Sequence, residues 1–423
     1  MIRTMTAGAT TRRSILAGTA LAAAALGLAA FAGAARAEGG PDLSDFAAIE
    51  AAARGQTVYF HAWSGAPNIN AYIEWVGDVV EERYGIELVH VPVTDTANVV
   101  GIIVAEDAAG RREGGSVDLV WINGENFVAL KRAGLLLAPD GEGWAQRLPS
   151  YAFVDTEGNP TTTIDFTEPT EGLEAPWGTV QLSFYYDSAE GLERPADVEA
   201  LAAFIEANPG RFTYPQPPNF LGTTFLKQVL AGLIDDPQRL QAPLAPEDAA
   251  EALAPLFAWL DRVHPHLWRS GRAFPADQVA MAQLFSDSEI AIGFAFNPAA
   301  ASAAVLRGEF PETTRSFVFA GGTLANSHFV TIPFNASAPE AALVVANFLM
   351  SPEAQLEKQN PEGWGDFTVL DVTRLDAQTR AAFEALDLGP ATLAPSDFGQ
   401  AIPEPHASWG EAIERLWAEH YQG

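Results

Sequence analysis

Between residues 57 and 134, short apolar runs alternate with amphipathic stretches, and this alternation constrains the fold more than any other feature of the sequence. The runs Thr57–Trp63, Ile86–Val91 and Val117–Ile122 are β-branched and aromatic, which is typical of buried strands. The stretches between them repeat apolar residues at helical spacing. Strands that alternate with helices over short connections form a doubly wound parallel sheet. The sequence therefore predicts an α/β fold with helices on both faces of a sheet.

The rest of the chain contains enough further elements for a second domain. A chain of 423 residues is longer than one domain usually is. After a loop-rich segment, Thr179–Tyr186 and Glu289–Phe296 read as strands, Phe212–Tyr214 as a short strand, and helices follow from about residue 220. We find no internal repeat and predict two α/β units.

The first 37 residues differ in charge from the remainder. The chain carries a formal charge of −30, yet residues 1–37 hold four arginines and no acid. Without them, 20 basic and 54 acidic side chains remain, a charge of −34. An apolar run after Arg13 and the small residues around Ala37 predict a secretory signal peptide over 1–37, cleaved near Ala37-Glu38. The alternative is a transmembrane anchor, although Ala and Gly make the run only mildly apolar.

Residues Thr11–Leu16 (TRRSIL) resemble a twin-arginine export signal, in which Ser or Thr precedes the arginine pair. The resemblance implies export of an already folded chain to a bacterial periplasm. The chain lacks cysteine, so disulfides, thiolate metal sites and lipid attachment through cysteine are excluded. We expect a soluble periplasmic protein without a lipid anchor.

Composition and motifs exclude several classes of partner and chemistry. The acidity argues against nucleic acid and anionic membranes, which both require a basic surface. The histidines are scattered, so no zinc site is predicted, and a chain with four methionines and no cysteine is not expected to form a soft-metal site. No nucleophile elbow, metalloprotease or phosphate-loop motif is present, and we predict no cofactor and no catalytic residue.

The carboxyl ends of the predicted strands are where a doubly wound sheet binds ligands. A tryptophan at such an end can stack on a planar ligand or bind a cation, although each tryptophan could equally pack in a core. The small and polar residues beside them could bind through amides or side chains, or could simply start a helix or form a turn. The candidates at these ends are Trp63, Ser64, Gly65, Asp95, Thr96, Trp121, Asn123 and Glu125.

Three further candidates lie later in the chain. Trp177 precedes the strand at 179–186. Asn219 and Thr223 begin a helix with polar side chains, where Thr223 could bind a ligand or only cap the helix.

The sequence resembles the periplasmic solute-binding proteins of ABC importers. The segments that carry the likeness are VDLVW at 117–121, TVQLSFYYDS at 179–188, Glu289–Pro298 and ANFLMSPEAQ at 346–355. WINGENF at 121–127 and NFLGTT at 219–224 are similar to the YnjB-type branch of these proteins.

The resemblance implies two lobes joined by crossing segments, with the ligand bound between them. Lobe one would comprise residues 41–180 and 298–365, and lobe two residues 181–297 and 366–423. In that geometry Asn297 faces the cleft and Trp364 lies in an aromatic loop near the lobe junction. A monomeric carrier would deliver its ligand to a membrane permease with its ATPase.

The tryptophans and nearby carboxylates favour a small organic ligand with an aromatic or cationic nitrogen group, such as a thiamine-like compound or a polyamine. Amino acids, sugars and oxyanions stay open as alternatives. Iron-binding members of this superfamily use adjacent tyrosines as ligands. Here the alternation of side chains along a strand directs Tyr185 and Tyr186 to opposite faces, so ferric iron is disfavoured as the ligand. The competing prediction is an exported hydrolase or glycosidase that uses paired carboxylates in a tryptophan-lined cleft.

Overall fold

Two β-sheets of unequal size and one short hairpin organise the chain. The computed structural model describes residues 41–122 and 124–422. The predicted signal peptide, residues 1–37, and the candidate site residue Asn123 lie outside these ranges.

The bounds of the elements are as follows. The strands are β1 (Thr57–Trp63), β2 (Glu87–Val93), β3 (Leu119–Ile122), β4 (Ile164–Asp165), β5 (Glu168–Pro169), β6 (Glu174–Gln181), β7 (Ser183–Asp187), β8 (Ile292–Ala295), β9 (Thr314–Phe317), β10 (Thr323–Thr331) and β11 (Ala401–Pro403). The α-helices are α1 (Phe46–Ala53), α2 (Pro67–Tyr84), α3 (Thr96–Ala108), α4 (Gly124–Ala133), α5 (Val198–Ala207), α6 (Phe220–Leu233), α7 (Ala249–Ala252), α8 (Ala254–Val263), α9 (Gln278–Ser286), α10 (Ala300–Leu306), α11 (Pro339–Leu349), α12 (Pro352–Gln359), α13 (Ala377–Glu384) and α14 (Ala407–Tyr421).

The larger sheet has the order β11-β10-β3-β1-β2, and β6 also pairs with β10. Strand β1 runs parallel to β2 and β3, as the alternation of strand and helix predicts. Strand β10 runs antiparallel to β3 and β6, so the sheet is mixed. The predicted α/β fold with helices packed on a sheet is confirmed.

Helix α2 shows how local signals set the boundaries of these elements. Pro67 opens the helix, where its missing N–H costs nothing. Gly85 ends it with a left-handed φ of 66°, and its N–H is donated to the carbonyls of Val80 and Glu81. The predicted apolar stripe, which includes Ile69, Ile73 and Val76, faces the core.

The smaller sheet is antiparallel, in the order β8-β7-β9. Its core is aromatic: the Phe184 ring lies 5.3 Å from that of Phe317 and 5.8 Å from that of Phe294. The side chains of Trp259 and Trp417, from α8 and α14, belong to the same core.

Two predicted strands differ in the structure. The stretch 179–186 is not one strand, because β6 ends at Gln181 in the larger sheet and β7 begins at Ser183 in the smaller one. The strand predicted at Phe212–Tyr214 is wrong: these residues are buried but form no strand. Their apolar character reflects burial, which periodicity alone does not distinguish from strand pairing.

The two hydrophobic cores contain residues from both of the predicted lobes. Ala301 and Phe310 pack in the core of the smaller sheet. Val369 and Phe383 pack in the core beneath the larger sheet. The division into lobes stays a prediction, and these contacts favour moving residues 300–317 to lobe two and 369–383 to lobe one.

No helix among the described residues combines the length and the apolar character that crossing a membrane requires.

Candidate functional site

All four candidate tryptophans lie together. We call Trp63, Trp121, Trp177 and Trp364 the tryptophan cluster. Trp121 is central: its ring centroid lies 5.1 Å from that of Trp364, 5.3 Å from that of Trp177 and 6.4 Å from that of Trp63. The cluster forms because β1 and β3 are adjacent parallel strands, whose ends meet at one edge of the sheet.

Burial separates the cluster into two layers. Trp177 and Trp364 are fully buried and contact Tyr72 of α2. Trp63 and Trp121 are partly exposed. The inner pair is therefore core, and only the outer pair presents ring surface that a ligand could contact.

A buried lysine that the sequence analysis missed occupies the inner layer. The Lys358 ammonium lies 3.9 Å from the ring centroids of both Trp177 and Trp364. It donates to the Trp177 carbonyl at 2.8 Å and pairs with Asp366 at 3.0 Å. The inner cation–π site is thus filled by the protein's own cation.

Asp366 is the shared partner of two basic side chains. Its Oδ2 accepts from His328 Nδ1 at 2.7 Å as well as from Lys358. Despite burial, Lys358 and His328 together hold the pKa of the Asp366 carboxyl below its usual value. Burial lowers the pKa of Lys358 to about 8, an effect that Asp366 only partly offsets. Asp366 is therefore an anion with two basic partners at Oδ2, whereas Lys358 has one counter-ion.

Two glycines make room for this arrangement. A Cβ on Gly178 would overlap the Lys358 ammonium and the Asp366 carboxylate. Gly365 has a φ of 94°, which favours glycine, and a Cβ there would overlap the Ala299 side chain.

Asn297 connects the smaller sheet to this network, since it follows β8 closely. Its Nδ2 donates to the Trp364 carbonyl at 3.2 Å and to Asp366 Oδ1 at 3.3 Å. The predicted candidate Asn297 thus contacts the predicted candidate Trp364, at a junction between the two sheets.

A second group of candidates gathers around five acidic side chains, which we call the carboxylate cluster. Its members are Glu125, Asp165, Glu174, Glu404 and Glu414. Thr223 Oγ1 donates to Glu414 at 2.8 Å. The Lys227 ammonium pairs with Glu404 at 2.6 Å. The sequence predicted Glu125 and the neighbouring Thr223 but not the other four members, whose proximity depends on long-range packing.

Two members of the carboxylate cluster are buried without full hydrogen bonding. Glu174 and Asp165 are each 1% exposed. Both Glu174 oxygens and Asp165 Oδ2 lack a hydrogen-bond partner among the described residues. Burial, and then the charge of neighbouring carboxylates, raises the pKa of both groups well above the usual value, although Lys131 opposes the shift at Glu174.

We expect the substitution Glu174→Gln to stabilise the protein at alkaline pH. The folded state binds a proton at Glu174 more tightly than the unfolded state does, because its pKa is raised above 4.5. Stability contributed by this group is therefore complete at low pH and is lost as pH rises through the raised pKa. Urea denaturation at pH 8 should show a gain of about 1 kcal/mol or more in the free energy of unfolding, with little change at pH 4.

Glu142→Gln is the matched control for this substitution, since Glu142 is exposed in a nearby loop. It should leave stability unchanged at both pH values. An equal effect of Glu174→Gln at pH 4 and pH 8 would contradict the assignment of a raised pKa.

The remaining candidates take local structural roles. Asp95 caps α3 by accepting from the Ala97 N–H at 2.9 Å, and Asn219 caps α6 by accepting from Leu221 and Gly222. The Trp63 ring lies against Gly65, where a Cβ would overlap it. The Ser64 carbonyl accepts a hydrogen bond from Asn70, and the Thr96 hydroxyl donates one to the Trp121 carbonyl.

Among the described residues, no three His, Asp or Glu side chains are arranged to hold a metal ion. His264, one of the two neighbouring histidines, accepts or donates one hydrogen bond with the Tyr214 hydroxyl at 2.7 Å in the smaller core. The tryptophan cluster thus offers aromatic rings, and the carboxylate cluster offers acidic side chains with the Thr223 hydroxyl beside them.

Comparison with known proteins identifies related sequences. Residues 74–384 match the sequence profile described as bacterial extracellular solute-binding protein. The chain is 44% identical to protein YnjB of Escherichia coli (strain K12) over 380 residues, which is 89% of this chain and 94% of that protein.

Solved structures share the fold at low sequence identity. A substrate-binding protein of an ABC transporter from Bradyrhizobium japonicum matches with a TM-score of 0.60 and 16% identity, covering 86% of this chain and 99% of that one. The periplasmic binding protein AfuA from Actinobacillus pleuropneumoniae, with fructose 6-phosphate bound, matches with a TM-score of 0.57 and 15% identity over 87% and 99% of the two chains. The spermidine/putrescine-binding protein PotD from Streptococcus pneumoniae matches with a TM-score of 0.57 and 14% identity over 87% and 100%.

Proposed function

Because the chain belongs to the bacterial extracellular solute-binding proteins, we propose that it captures a small organic solute in the periplasm and delivers it to an ABC permease. The proposed binding site rests on one observation, the partial exposure of the outer layer of the tryptophan cluster. Trp63 and Trp121 present partly exposed rings at neighbouring strand ends, on an inner layer that Lys358 and Asp366 fix in place. Such a rigid aromatic surface favours binding over catalysis, and family membership does not favour the hydrolase alternative.

The ligand class that these residues support is an organic molecule with an aromatic or cationic nitrogen group. Ring faces bind flat aromatic groups and cations. The carboxylate cluster adds acidic side chains that a cationic group would hold in the ionised form, and Thr223 adds a hydroxyl beside Glu414. A thiamine-like compound and a polyamine both satisfy this description. Trp63, Trp121, Glu125 and Thr223 are the residues that we propose contact the ligand.

Export and delivery complete the proposed role. The predicted signal peptide over 1–37 would direct the folded chain through the twin-arginine route. The mature protein would diffuse as a monomer and reach its permease by collision. A truncated variant that lacks residues 1–37 is expected to stay in the cytoplasm, which cell fractionation would show.

Native mass spectrometry of the protein purified from its own host tests the proposed function. A bound small molecule should appear as a mass increment that is lost on denaturation. Calorimetry with thiamine, putrescine and spermidine then tests the ligand class. Conversion of the captured molecule during prolonged incubation would contradict a purely binding role.

Trp121→Ala is expected to weaken binding of the captured solute at least tenfold while the fold is preserved. Trp121 is partly exposed, so its removal deletes ring surface at the site and leaves the inner layer in place. Calorimetric titration would measure the Kd. Trp268→Ala is the matched control, because Trp268 is also partly exposed but packs against the smaller core. An unchanged Kd for Trp121→Ala would remove this residue from the site.

A further inference from the structure

The hairpin β4–β5 has a tip that its own sequence does not favour. Ile164 pairs with Pro169 and Asp165 pairs with Glu168, so Phe166 and Thr167 form a two-residue turn. Both tip residues have positive φ, 43° for Phe166 and 74° for Thr167. Turns of this kind favour Asn and Gly, whereas a bulky aromatic and a β-branched residue are disfavoured there. The tip is therefore held in place by what surrounds it.

The tip sits on the first turn of α4. Phe166 is only 7% exposed. A Cβ on Gly124 would overlap the Phe166 ring, so the ring lies directly on the Gly124 backbone. The Asp165 carboxylate accepts a hydrogen bond from the Gly124 N–H. The tip thus covers the start of the helix that follows β3, beside the proposed ligand contact Glu125.

The same ring also contacts a helix that packs with the smaller sheet. The Lys227 ammonium, on α6, lies 4.8 Å from the centre of the Phe166 ring. Phe166 is therefore placed between α4 on one side and α6 on the other. Gly124 and Lys227 belong to different predicted lobes, so Phe166 lies between them, beside the proposed ligand contact Glu125.

The place that the tip occupies retains an unsatisfied acceptor. Asp165 Oδ2 is buried and has no hydrogen-bond partner among the described residues. Burial and the acidic neighbours Glu125 and Glu404 raise the pKa of the Asp165 carboxyl, so a cationic N–H donor beside this oxygen would favour the ionised form that accepts it. A bound molecule with an N–H donor would satisfy this oxygen, whereas the tip alone does not.

We propose that the tip of the β4–β5 hairpin is an internal occupant of the ligand site and that Phe166 is its specificity-determining residue. The inference rests on the proposed function. When the ligand binds, the tip withdraws, and an aromatic ring of the ligand takes the place of the Phe166 ring between Gly124 and Lys227. A ring that carries an N–H donor for Asp165 is thereby favoured over an aliphatic polyamine.

Thiol labelling tests withdrawal of the tip without any ligand. The chain has no cysteine, so Phe166→Cys introduces a single thiol that can be followed with a coloured disulfide reagent. Two further variants set the limits of the labelling rate. Ala53→Cys, at a fully buried position of α1, should react slowly, and Ile164→Cys, at a position of the hairpin that is 44% exposed, should react fast. We expect Phe166→Cys to react at least tenfold faster than Ala53→Cys. Equal rates for these two variants would overturn the proposal.

Hydrogen–deuterium exchange repeats this test with the Phe166 ring present. Peptides that cover residues 163–170 of the unmodified protein should exchange at least tenfold faster than those that cover β1. Exchange as slow as that of β1 would show a tip that does not withdraw, whatever the thiol rates.

Calorimetry with thiamine and spermidine as probes tests the ligand class. Phe166→Ala should bind thiamine at least tenfold more tightly than the unmodified protein, because no ring has to be displaced. The thiamine affinity of Phe166→Leu should lie between those of these two proteins. Affinity for spermidine should change less. Equal thiamine affinity in the three proteins, or no thiamine binding to any of them, would overturn the aromatic class. The labelling rates would still decide whether the tip withdraws, and native mass spectrometry would separately decide the carrier role.

Discussion

Replacement of Lys358 by methionine is expected to lower the free energy of unfolding by about 3–5 kcal/mol. The physical reason is the Asp366 carboxylate, which is fully buried and would lose one of its two basic partners. Methionine keeps an apolar stem of the same four atoms in line and lacks only the terminal ammonium, so the loss reports mainly the ammonium rather than a cavity. Chemical denaturation followed by circular dichroism measures the change.

The double variant Lys358→Met with Asp366→Asn separates the ion pair from its surroundings. It removes both charges, and the asparagine oxygen can still accept from His328 Nδ1. We therefore expect the double variant to be more stable than Lys358→Met alone. If the two changes simply add, the pair is not coupled and the account of Asp366 is wrong.

Trp177→Ala is expected to cost about 3–5 kcal/mol of stability, as large-to-small changes at fully buried aromatic residues do. The Trp177 ring contacts Phe60, Tyr72, Trp121 and Trp364, and it forms one face of the Lys358 site. Its loss leaves a cavity and removes a cation–π partner at once. Denaturation curves and the melting temperature measure the effect.

Trp177→Phe provides the matched control, because it preserves an aromatic face while shortening the side chain. Its cost should be clearly smaller than that of Trp177→Ala. A Trp177→Ala protein as stable as the unmodified one, but unable to bind the captured solute, would return Trp177 to the ligand-binding surface that its strand-end position first suggested.

Local signals in the sequence account for much of the fold around the larger sheet. Strand β1 has the predicted bounds, and α2 begins at Pro67 and ends before Gly85 as predicted, because proline and glycine act through backbone geometry alone. The strand-end rule also identifies the edge where Trp63 and Trp121 lie. These inferences need only neighbouring residues in the chain.

Features that depend on residues far apart in the chain could not be predicted from these local signals. Lys358 lies on α12 and finds Asp366 after a turn, while His328 comes from β10, and no spacing in the sequence links the three. Gln355, three residues before Lys358, also donates to the Trp177 carbonyl, so a polar pair on one buried helix face was the available signal. The β4–β5 hairpin lacks the Asn or Gly that marks such turns, because contacts with Gly124 and Lys227 hold its tip.

The single residue between β6 and β7 has a mechanical consequence. Leu182 is buried, and its N–H is donated to the Leu324 carbonyl at 2.8 Å, so this connection between the two sheets is braced by the neighbouring strand β10. One residue supplies only two free backbone rotations, and the brace couples them to a second chain segment. At this crossing, the angle between β6 and β7 is therefore set by the two backbone rotations of Leu182, which the hydrogen bond to β10 restrains.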